Sequence, residues 1–246
     1  MPRTDWGWLV TPEELQSWIL YEDPDLFAVN KPGLVVCHPS KHGPWSSLVG
    51  ACREYLGLER LHMPSRLDRE TSGIVVFAKT PKLATRLQVA MQERRVRKTY
   101  HALLVGELRE SVVVDQPLGP HPSSKVWIRQ AVVPGGVAAR TRFEPIGCEA
   151  GNTLARIIPE TGRLHQIRVH AAWLGHPVAA DKIYGPDELL FLEFLEQGWT
   201  PRLAAALPFE HQALHASDWS FANYAFRAPL PRAWSQVVSL VCPLAG

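Results

Sequence analysis

The sequence predicts an α+β protein, because segments with strand periodicity alternate with segments with helix periodicity along the chain. The apolar run Ile74–Ala78 is typical of a buried strand. Shortly after it, Leu83, Leu87 and Ala90 recur at the spacing of a helix face. The 246 residues are 46% apolar and 20% charged, which is ordinary for a globular protein able to bury a substantial core. The alternation by itself does not specify the order of strands in a sheet.

Start and stop signals define the first elements. Thr11, followed by a proline, predicts a short helix through Leu20. Leu26–Val29 predicts a short strand, and Ser46 is predicted to cap a helix that ends at Gly57. Residues 1–20 are interpreted as an N-terminal arm, whose tryptophans are expected to pack onto the rest of the protein rather than stack on bases.

The middle of the chain continues the alternation. Thr80 is predicted to cap the helix that begins at the following proline. Thr99–Gly106 alternates as a strand does, and residues 107–138, rich in proline and glycine, are expected to be mostly loop. Arg140–Ile146 and Thr153–Pro159 predict a hairpin.

The last part contains one predicted helix with clear signals and one segment without them. Leu164–Leu174 carries apolar residues at helical spacing and is followed by a stop glycine. Residues 186–212 are interpreted as a local insertion made of an apolar helix, Leu189–Leu195, and a proline-bounded linker. Trp219–Phe226 predicts a closing strand.

Composition excludes several classes of protein and weakly constrains the rest. The net charge of +2 and the pI near 8.4 are too mild to indicate nucleic-acid binding, so any such site must come from local clustering. There is no secretory signal pattern and no run of 18 apolar residues, so we expect a cytoplasmic protein that does not enter the membrane. The four cysteines are far apart and predict reduced thiols rather than a zinc site or disulfide framework: Cys37, Cys52, Cys148 and Cys242.

One charged segment precedes the buried strand at 74–78. Arg66, Asp68 and Arg69 lie within four residues, just before the turn-forming Gly73. The arginines favour the charged form of the aspartate, which suits nucleophilic attack or electrostatic stabilisation better than proton donation. A surface ion-pair cluster is the alternative that local chemistry leaves open.

Three motifs together resemble one enzyme family. Arg66–Gly73 (RLDRETSG) resembles the signature of the RluA-type pseudouridine synthases, which isomerise uridine in RNA. Lys98–Gly106 (KTYHALLVG) is similar to the family's second motif, and Thr161–His170 (TGRLHQIRVH) to its third. Asp181–Gly185 (DKIYG) continues the resemblance. The resemblance implies that Asp68 is the catalytic nucleophile, that Tyr100 lines the uridine pocket, and that Arg168 pairs with Asp68.

The resemblance and the charge pattern also nominate RNA contacts. Arg66 is implied to fill the space that the flipped nucleotide vacates. Four cations lie within the five residues 94–98, more than a helix C-terminus needs to offset its dipole, although that remains the alternative. The full set of candidate RNA contacts is Arg66, Arg69, Lys31, Arg94, Arg95, Arg97, Lys98, Arg163 and His165. Lys31 is expected at the exposed end of a strand.

The resemblance implies a fold and a partner. The fold is a mixed, largely antiparallel central sheet flanked by helices, with the catalytic domain at residues 21–246. RNA, as a stem-loop of transfer RNA or large-subunit ribosomal RNA, is the expected partner, and a monomer is the default. No cofactor is required, and no metal is expected because His165 and His170 lack the spacing of a helical ligand pair. Twenty residues are too few for the N-terminal RNA-binding domain that many members carry.

Departures from the family pattern and two rival functions remain. Ser65 stands where histidine is usual, and Ala180 stands where glycine is common. One rival is a non-catalytic RNA-binding protein on the same fold. The other is a hydrolase that uses Asp68 and Glu70 as paired carboxylates, although two adjacent arginines would keep both ionised and leave no acid.

Overall fold

The structure, a computed structural model, describes residues 3–4, 7–38, 42–237 and 239. Trp6, counted in the predicted arm, and the predicted thiol of Cys242 lie outside the described residues. The chain forms two compact units. The first comprises Met1–Lys98 and Ala216–Ala228, and the second comprises Thr99–His215 and Pro229–Gly246.

The first unit begins with two very short paired strands and a capped helix. Strands β1 (Arg3–Thr4) and β2 (Gly7–Trp8) pair antiparallel, and helix α1 spans Pro12–Trp18. The Thr11 hydroxyl accepts from the Glu14 amide while the Glu14 carboxylate accepts from the Thr11 amide, so the predicted cap is a complete capping box.

An antiparallel ladder forms the body of the first unit. Its strands are β3 (Ile19–Glu22), β4 (Leu26–Lys31) and β5 (Ser72–Ala78), in that order, and β4 pairs with both neighbours. Every residue of β5 is buried, as the apolar run predicted. Helices α2 (Leu48–Tyr55) and α3 (Pro81–Gln92) belong to the same unit, and Thr80 caps α3 as predicted.

A second ladder forms the body of the second unit. The order of its strands is β6 (Arg97–Val105), β11 (Asn152–Pro159), β10 (Arg140–Glu149) and β7 (Val112–Asp115), all pairing antiparallel. The predicted hairpin is therefore confirmed, with a tighter turn at residues 150–151 where both residues have positive φ. A small antiparallel pair, β8 (Leu118–Pro120) and β9 (Gln130–Val132), completes the strands before residue 160.

Three helices and a final hairpin follow. Helix α4 spans Gln166–Trp173, α5 spans Leu189–Gln197 and α6 spans Pro201–Ala206. Strand β12 (Leu214–Phe221) starts in the second unit and ends in the first, where it pairs antiparallel with β13 (Tyr224–Arg227). The α+β class, with a mixed, mostly antiparallel sheet and flanking helices, is confirmed.

Several predicted boundaries are wrong. Helix α1 ends at Trp18 because the next residues pair with β4, and Ser47 rather than Ser46 caps α2. Residues 107–138 contain three short strands, and the expected linker in 186–212 contains α6. Helix α4 starts two residues later than predicted, after His165. At the end of α1 and in β7, pairing with another strand overrides the local signal.

Each unit has its own hydrophobic core. In the first unit, Leu26, Val76, Leu87 and Trp219 belong to one buried cluster. In the second, one cluster contains Ala102, Leu104, Phe143, Ile157 and Ile167. A smaller one contains Leu118, Val126, Val169 and Tyr184. Within the described residues, no helix combines the length and apolar character needed to span a membrane. Cys37, Cys52 and Cys148 are free thiols, as expected.

Candidate active site

The charged segment at 66–69 is a short loop fixed at both ends. Before it, His62 and Ala78 exchange two backbone hydrogen bonds of 3.0 and 2.8 Å. Within it, the Leu67 side chain is buried and the Thr71 amide donates to the Asp68 carbonyl at 3.2 Å, which forms a turn. Arg66 is exposed and Asp68 is partly buried. The loop thus carries the Asp68 carboxylate on a packed backbone with an exposed arginine nearby.

Lys31 supports this loop from inside the unit. The expectation of an exposed lysine is wrong, because Lys31 has no exposed surface. Its ammonium donates to the carbonyls of Pro32 at 2.9 Å, Val35 at 3.0 Å and Arg69 at 3.0 Å. Burial lowers the pKa of Lys31 to about 8, although nearby acidic groups oppose the shift. A buried ammonium with three backbone acceptors ties β4 to the Asp68 loop and is unsuited to direct contact with an RNA phosphate.

Gly73 lets the backbone of this segment approach another strand. Its φ is +110°, and a Cβ at this position would lie 2.3 Å from the Ala216 carbonyl oxygen and 2.5 Å from the Ala216 amide nitrogen. Only glycine fits both the conformation and the space. The final residue of the RLDRETSG motif is therefore required by packing between β5 and β12 within the first unit.

The predicted cation patch is only partly on a helix end. Helix α3 stops at Gln92, and Arg97 already belongs to β6, so a helix-dipole role does not explain the whole patch. Arg94, Arg95 and Arg97 are exposed, and Arg95 pairs with Glu93 at 2.6 Å. Burial of its ammonium lowers the pKa of Lys98 to about 8. Their contact with RNA stays a prediction.

In the second unit, Tyr100 has the position that strand alternation predicted. It pairs with Ile157 in the β6–β11 ladder and packs, partly buried, against the cluster that contains Ala102 and Leu104. His101 points to the other face and pairs with Arg156. One side of the Tyr100 ring is thereby held by the core.

Arg168 is buried in α4 and makes a two-point ion pair that the sequence interpretation missed. Its Nε lies 2.6 Å from Oδ2 of Asp181, and its Nη2 lies 2.8 Å from Oδ1. Burial alone would raise the pKa of Asp181. The Arg168 guanidinium and the amides of Ile183 and Tyr184 outweigh burial and hold that pKa below its usual value. Asp181 thus fixes the plane of the guanidinium and leaves Nη1 outside this ion pair.

The loop before α4 is held by Gln166. Its side-chain oxygen accepts from the Thr161 hydroxyl at 2.7 Å and from the Arg163 amide at 3.0 Å. Its side-chain nitrogen donates to the Arg140 carbonyl and the Thr141 hydroxyl, both at 2.9 Å. The Gln166 amide thus makes four hydrogen bonds, two through its oxygen and two through its nitrogen, and these tie the TGRLHQ turn to β10.

The two histidines of this motif differ in surroundings. His165 adopts the left-handed conformation, with φ +55°, and its Nδ1 lies 2.8 Å from the Tyr184 hydroxyl. His170 is fully buried between the Thr141 hydroxyl and the Gln116 carbonyl, and burial lowers its pKa. Arg163 is exposed, and its Nε donates to the Ala138 carbonyl at 3.1 Å. His170 therefore has a structural role, whereas Arg163 is accessible.

The structure groups the predicted residues within each unit. In the first, Arg66, Asp68 and Arg69 share one loop anchored by Lys31. In the second, His165 and Arg168 flank one turn of the chain and both contact Tyr184. The pairing of Asp68 with Arg168 stays a prediction. Among the described residues, no group of three or more histidine, cysteine, aspartate or glutamate side chains is arranged to hold a metal ion.

Asp181, Gln166 and Tyr184 are the supporting residues that sequence reasoning did not assign. The signal was present in the Asp181–Gly185 segment (DKIYG), which continued the resemblance without a role. Ala180 has φ +61°, a conformation that favours glycine and explains why glycine is common there in the family.

Comparisons with known proteins identify the family. The sequence pattern of a family described as RNA pseudouridylate synthase matches residues 25–173. The chain is 34% identical over 224 residues to "Ribosomal large subunit pseudouridine synthase D" of Vibrio vulnificus (strain CMCP6), covering 87% of this chain and 67% of the relative. It is 31% identical over 241 residues to the protein of the same name from Escherichia coli (strain K12), covering 94% and 72%.

Two solved structures share the fold. "Human RNA Pseudouridylate Synthase Domain Containing 4" superposes with a TM-score of 0.72 at 24% identity, covering 94% of this chain and 95% of that one. "Human RNA Pseudouridylate Synthase Domain Containing 1" gives 0.65 at 24% identity, covering 95% and 87%. The motifs and the matched residues lead to one conclusion: the chain belongs to the RNA pseudouridylate synthases of the RluA type, isomerases that act on RNA.

Proposed function

We propose that this enzyme isomerises uridines in large-subunit ribosomal RNA, with Asp68 as the catalytic carboxylate. The choice of substrate is supported by the identity of 31–34% to relatives named for the ribosomal large subunit. The role of Asp68 is supported by the RLDRETSG loop, which holds Asp68 on an anchored backbone beside the exposed Arg66. Transfer RNA is the alternative substrate.

The reaction requires a base that has left its stack. Flipping a nucleotide costs a few kcal/mol, least where the base is already unpaired. Proteins that modify or bind RNA reach such bases most easily in loops and bulges. In the proposal, Arg66 occupies the space that the uridine vacates, which lowers the cost of keeping it out.

The chemistry then proceeds at the flipped uridine. The N1–C1′ bond breaks, the uracil turns, and a C5–C1′ bond forms; the C5 hydrogen leaves as a proton, and N1 takes up a proton. Asp68 attacks uracil C6, or attacks or stabilises ribose C1′. The positive charge of Arg168 keeps Asp68 ionised. Tyr100 stacks on the uracil, and the core behind its ring keeps it in place.

Tritium release from RNA labelled at uracil C5 tests the proposal. Transcripts of large-subunit ribosomal RNA and transfer RNA are assayed separately with the wild type, Asp68→Ala and Glu59→Ala, an exposed carboxylate of the same unit. We expect release from the ribosomal transcript by the wild type and Glu59→Ala and at least 1,000-fold less by Asp68→Ala, on the order of the loss on removing a nucleophile.

Other outcomes separate the rivals. Equal release by Asp68→Ala and the wild type would contradict the role of Asp68. Release from transfer RNA alone would replace the substrate. Free uracil in the supernatant, lost in Glu70→Ala, would indicate a hydrolase, and RNA binding without any release would indicate a binding protein.

A further inference from the structure

Trp127 is an unusually exposed aromatic residue in the second unit. It exposes 89% of its surface, more than any other large hydrophobic side chain in the described ranges, where Val137 at 54% is next. It lies in the loop 121–129 between β8 and β9. A single exposed apolar residue is ordinary, so exposure alone assigns it no role.

The loop that carries Trp127 is firmly held on both sides of it. Val126 is buried, and Ile128 packs against the same cluster. The Val126 amide donates to the Ser124 hydroxyl at 3.0 Å, and the Arg129 amide donates to the Val126 carbonyl at 2.9 Å. These contacts turn the neighbours of Trp127 inward and keep its ring outward.

Glu188, at the start of α5, clamps the same loop. Its carboxylate accepts from the Ser124 hydroxyl at 2.5 Å, from the Lys125 amide at 3.3 Å and from the Arg129 guanidinium. The segment interpreted from sequence as an insertion thereby supports the Trp127 loop. Three such contacts fix the backbone that carries the ring, so less backbone ordering remains to be paid for on binding.

The loop is also joined to His165 and Arg168 through the Tyr184 side chain. The Gln130 amide donates to the Tyr184 hydroxyl at 2.8 Å, the same hydroxyl that contacts His165. The guanidiniums of Arg129 and Arg168 lie 5.7 and 5.0 Å from the Tyr184 ring centre. Consecutive Cα atoms are about 3.8 Å apart, so Trp127 is within about 11 Å of the residue that contacts Tyr184.

The surroundings of Trp127 favour RNA as its partner. Residues 121–130 contain Lys125 and Arg129 and no carboxylate. Arg129 is paired with Glu188, whereas the Lys125 side chain is exposed. A stable protein interface needs about 800 Å² on each side, with several apolar residues at its centre. Proteins that bind single-stranded RNA instead use aromatic rings to stack on bases and cations to contact phosphates. One flat ring beside a cation fits that use.

We propose that Trp127 is a stacking platform for an unpaired base of the RNA substrate, and that Lys125 contacts the adjoining phosphate. This inference rests on RNA being the substrate of the enzyme, and does not depend on the role of Asp68. Trp127 acts in substrate binding and positioning rather than in the isomerisation itself.

Binding of a fluorescein-labelled single-stranded 12-mer RNA of mixed sequence tests the inference directly. Loss of one base–aromatic stack weakens binding roughly 5- to 150-fold, so we expect this increase in Kd for Trp127→Ala and recovery of most of the affinity in Trp127→Phe. Trp173→Ala, at a residue of α4 that is 52% exposed, is the matched control and should change Kd less than 2-fold. Circular dichroism melting should give the same midpoint for wild type and Trp127→Ala, because the ring is exposed.

Salt dependence separates stacking from charge. Trp127→Ala should raise Kd by the same factor at low and high salt. Lys125→Gln should instead make the fall of the log association constant with log salt concentration less steep, by about 0.7. With the labelled ribosomal transcript, Trp127→Ala should raise KM by a similar factor and leave kcat close to that of the wild type.

Three results would overturn the inference. The first is a Kd for the 12-mer RNA in Trp127→Ala equal to that of the wild type. The second is an increase in Kd in Trp173→Ala as large as in Trp127→Ala, and the third is an effect of Trp127→Ala that disappears at high salt. Sedimentation velocity adds a fourth: loss of a dimer in Trp127→Ala with unchanged RNA affinity would assign the ring to contact with a second copy. If the transcript releases no tritium but the 12-mer results hold, the proposed substrate fails while the stacking role stands.

Discussion

Arg168 and Asp181 form a buried, two-point ion pair within the second unit, with N–O distances of 2.6 and 2.8 Å and no exposed surface on the carboxylate side chain. Two of the three guanidinium nitrogens are thereby committed to one partner. Arg168, which the family resemblance assigns as the partner of Asp68, is held in place by a different aspartate. We infer that Asp181 is a positioning residue for Arg168.

Replacing Asp181 should therefore damage both stability and activity. In Asp181→Asn the buried Arg168 charge loses its counter-charge, and breaking a buried pair in this way costs about 3–5 kcal/mol. We expect the free energy of unfolding to fall by that amount and kcat to fall at a temperature where the variant is folded. Urea titration followed by tritium release measures both.

Asp187→Asn is the matched control. Asp187 pairs with Arg202 at 3.1 Å on the surface of the same unit, where the loss should be at most about 1 kcal/mol. Equal urea midpoints for Asp181→Asn and the wild type would contradict the importance of the buried pair.

Lys31 should behave as a structural residue of the Asp68 loop. Lys31→Met leaves the buried Val35 carbonyl and the partly buried carbonyls of Pro32 and Arg69 without their donor, and an unpaired buried acceptor costs about 1–3 kcal/mol. Part of this is offset because the buried charge is also removed. We expect a net loss of roughly 3 kcal/mol in urea titration and a lower kcat, with RNA affinity close to the wild-type value.

The exposed Lys82 of α3 provides the comparison, since Lys82→Met should change stability by less than about 0.5 kcal/mol. A variant Lys31→Met with wild-type stability but weaker RNA binding would restore the phosphate-contact role that its burial argues against.

Gly73 should not tolerate a side chain. In Gly73→Ala the new Cβ meets the Ala216 backbone at 2.3 Å, in addition to the strain of φ +110°. We expect a loss of about 3 kcal/mol or more, because backbone atoms cannot move aside as a side chain can. Thermal or urea unfolding of the purified variant measures the loss.

Gly57→Ala isolates the conformational part of this effect. Gly57 has φ +62°, and no atom would lie within 4 Å of its Cβ, so only about 1–2 kcal/mol should be lost. If both alanine variants lost the same amount, the close approach to Ala216 would contribute nothing.

The Glu188 clamp should make stability depend on pH in the acid range. Two hydrogen bonds lower the pKa of Glu188 from 4.5 to about 2; the bond from Ser124 has the larger effect, followed by the bond from Arg129. A carboxylate with a lowered pKa in the folded state stabilises the protein above its unfolded pKa, and this stabilisation is lost as pH falls towards the folded value. Glu188→Gln should therefore be less stable than the wild type at pH 7.

The difference between Glu188→Gln and the wild type should shrink as pH falls from 4.5 towards 2, measured by urea titration at each pH. Glu110→Gln, at an exposed carboxylate, should show no such convergence. A difference that stays constant across this range would show that Glu188 gains nothing from its charge in the folded state.

Features that depend on neighbours in the chain were predictable from sequence. The caps at Thr11 and Thr80, the buried strand at 74–78 and the hairpin after residue 140 follow from residues a few positions apart. The motifs around Asp68, Tyr100 and Arg168 are also contiguous, so the family and the candidate catalytic residues could be named before the fold.

Partners far apart in the chain were decided by tertiary structure alone. Lys31 meets the Arg69 carbonyl 38 residues away, and Arg168 meets Asp181 13 residues away. The Trp127 loop depends on Glu188, in a segment that local signals described only as an insertion. Periodicity and capping report interactions within one or two turns of chain, whereas burial and ion pairing depend on which segments the fold brings together. For that reason a lysine expected at the surface is in the interior, and the partner of Arg168 could be found only in three dimensions.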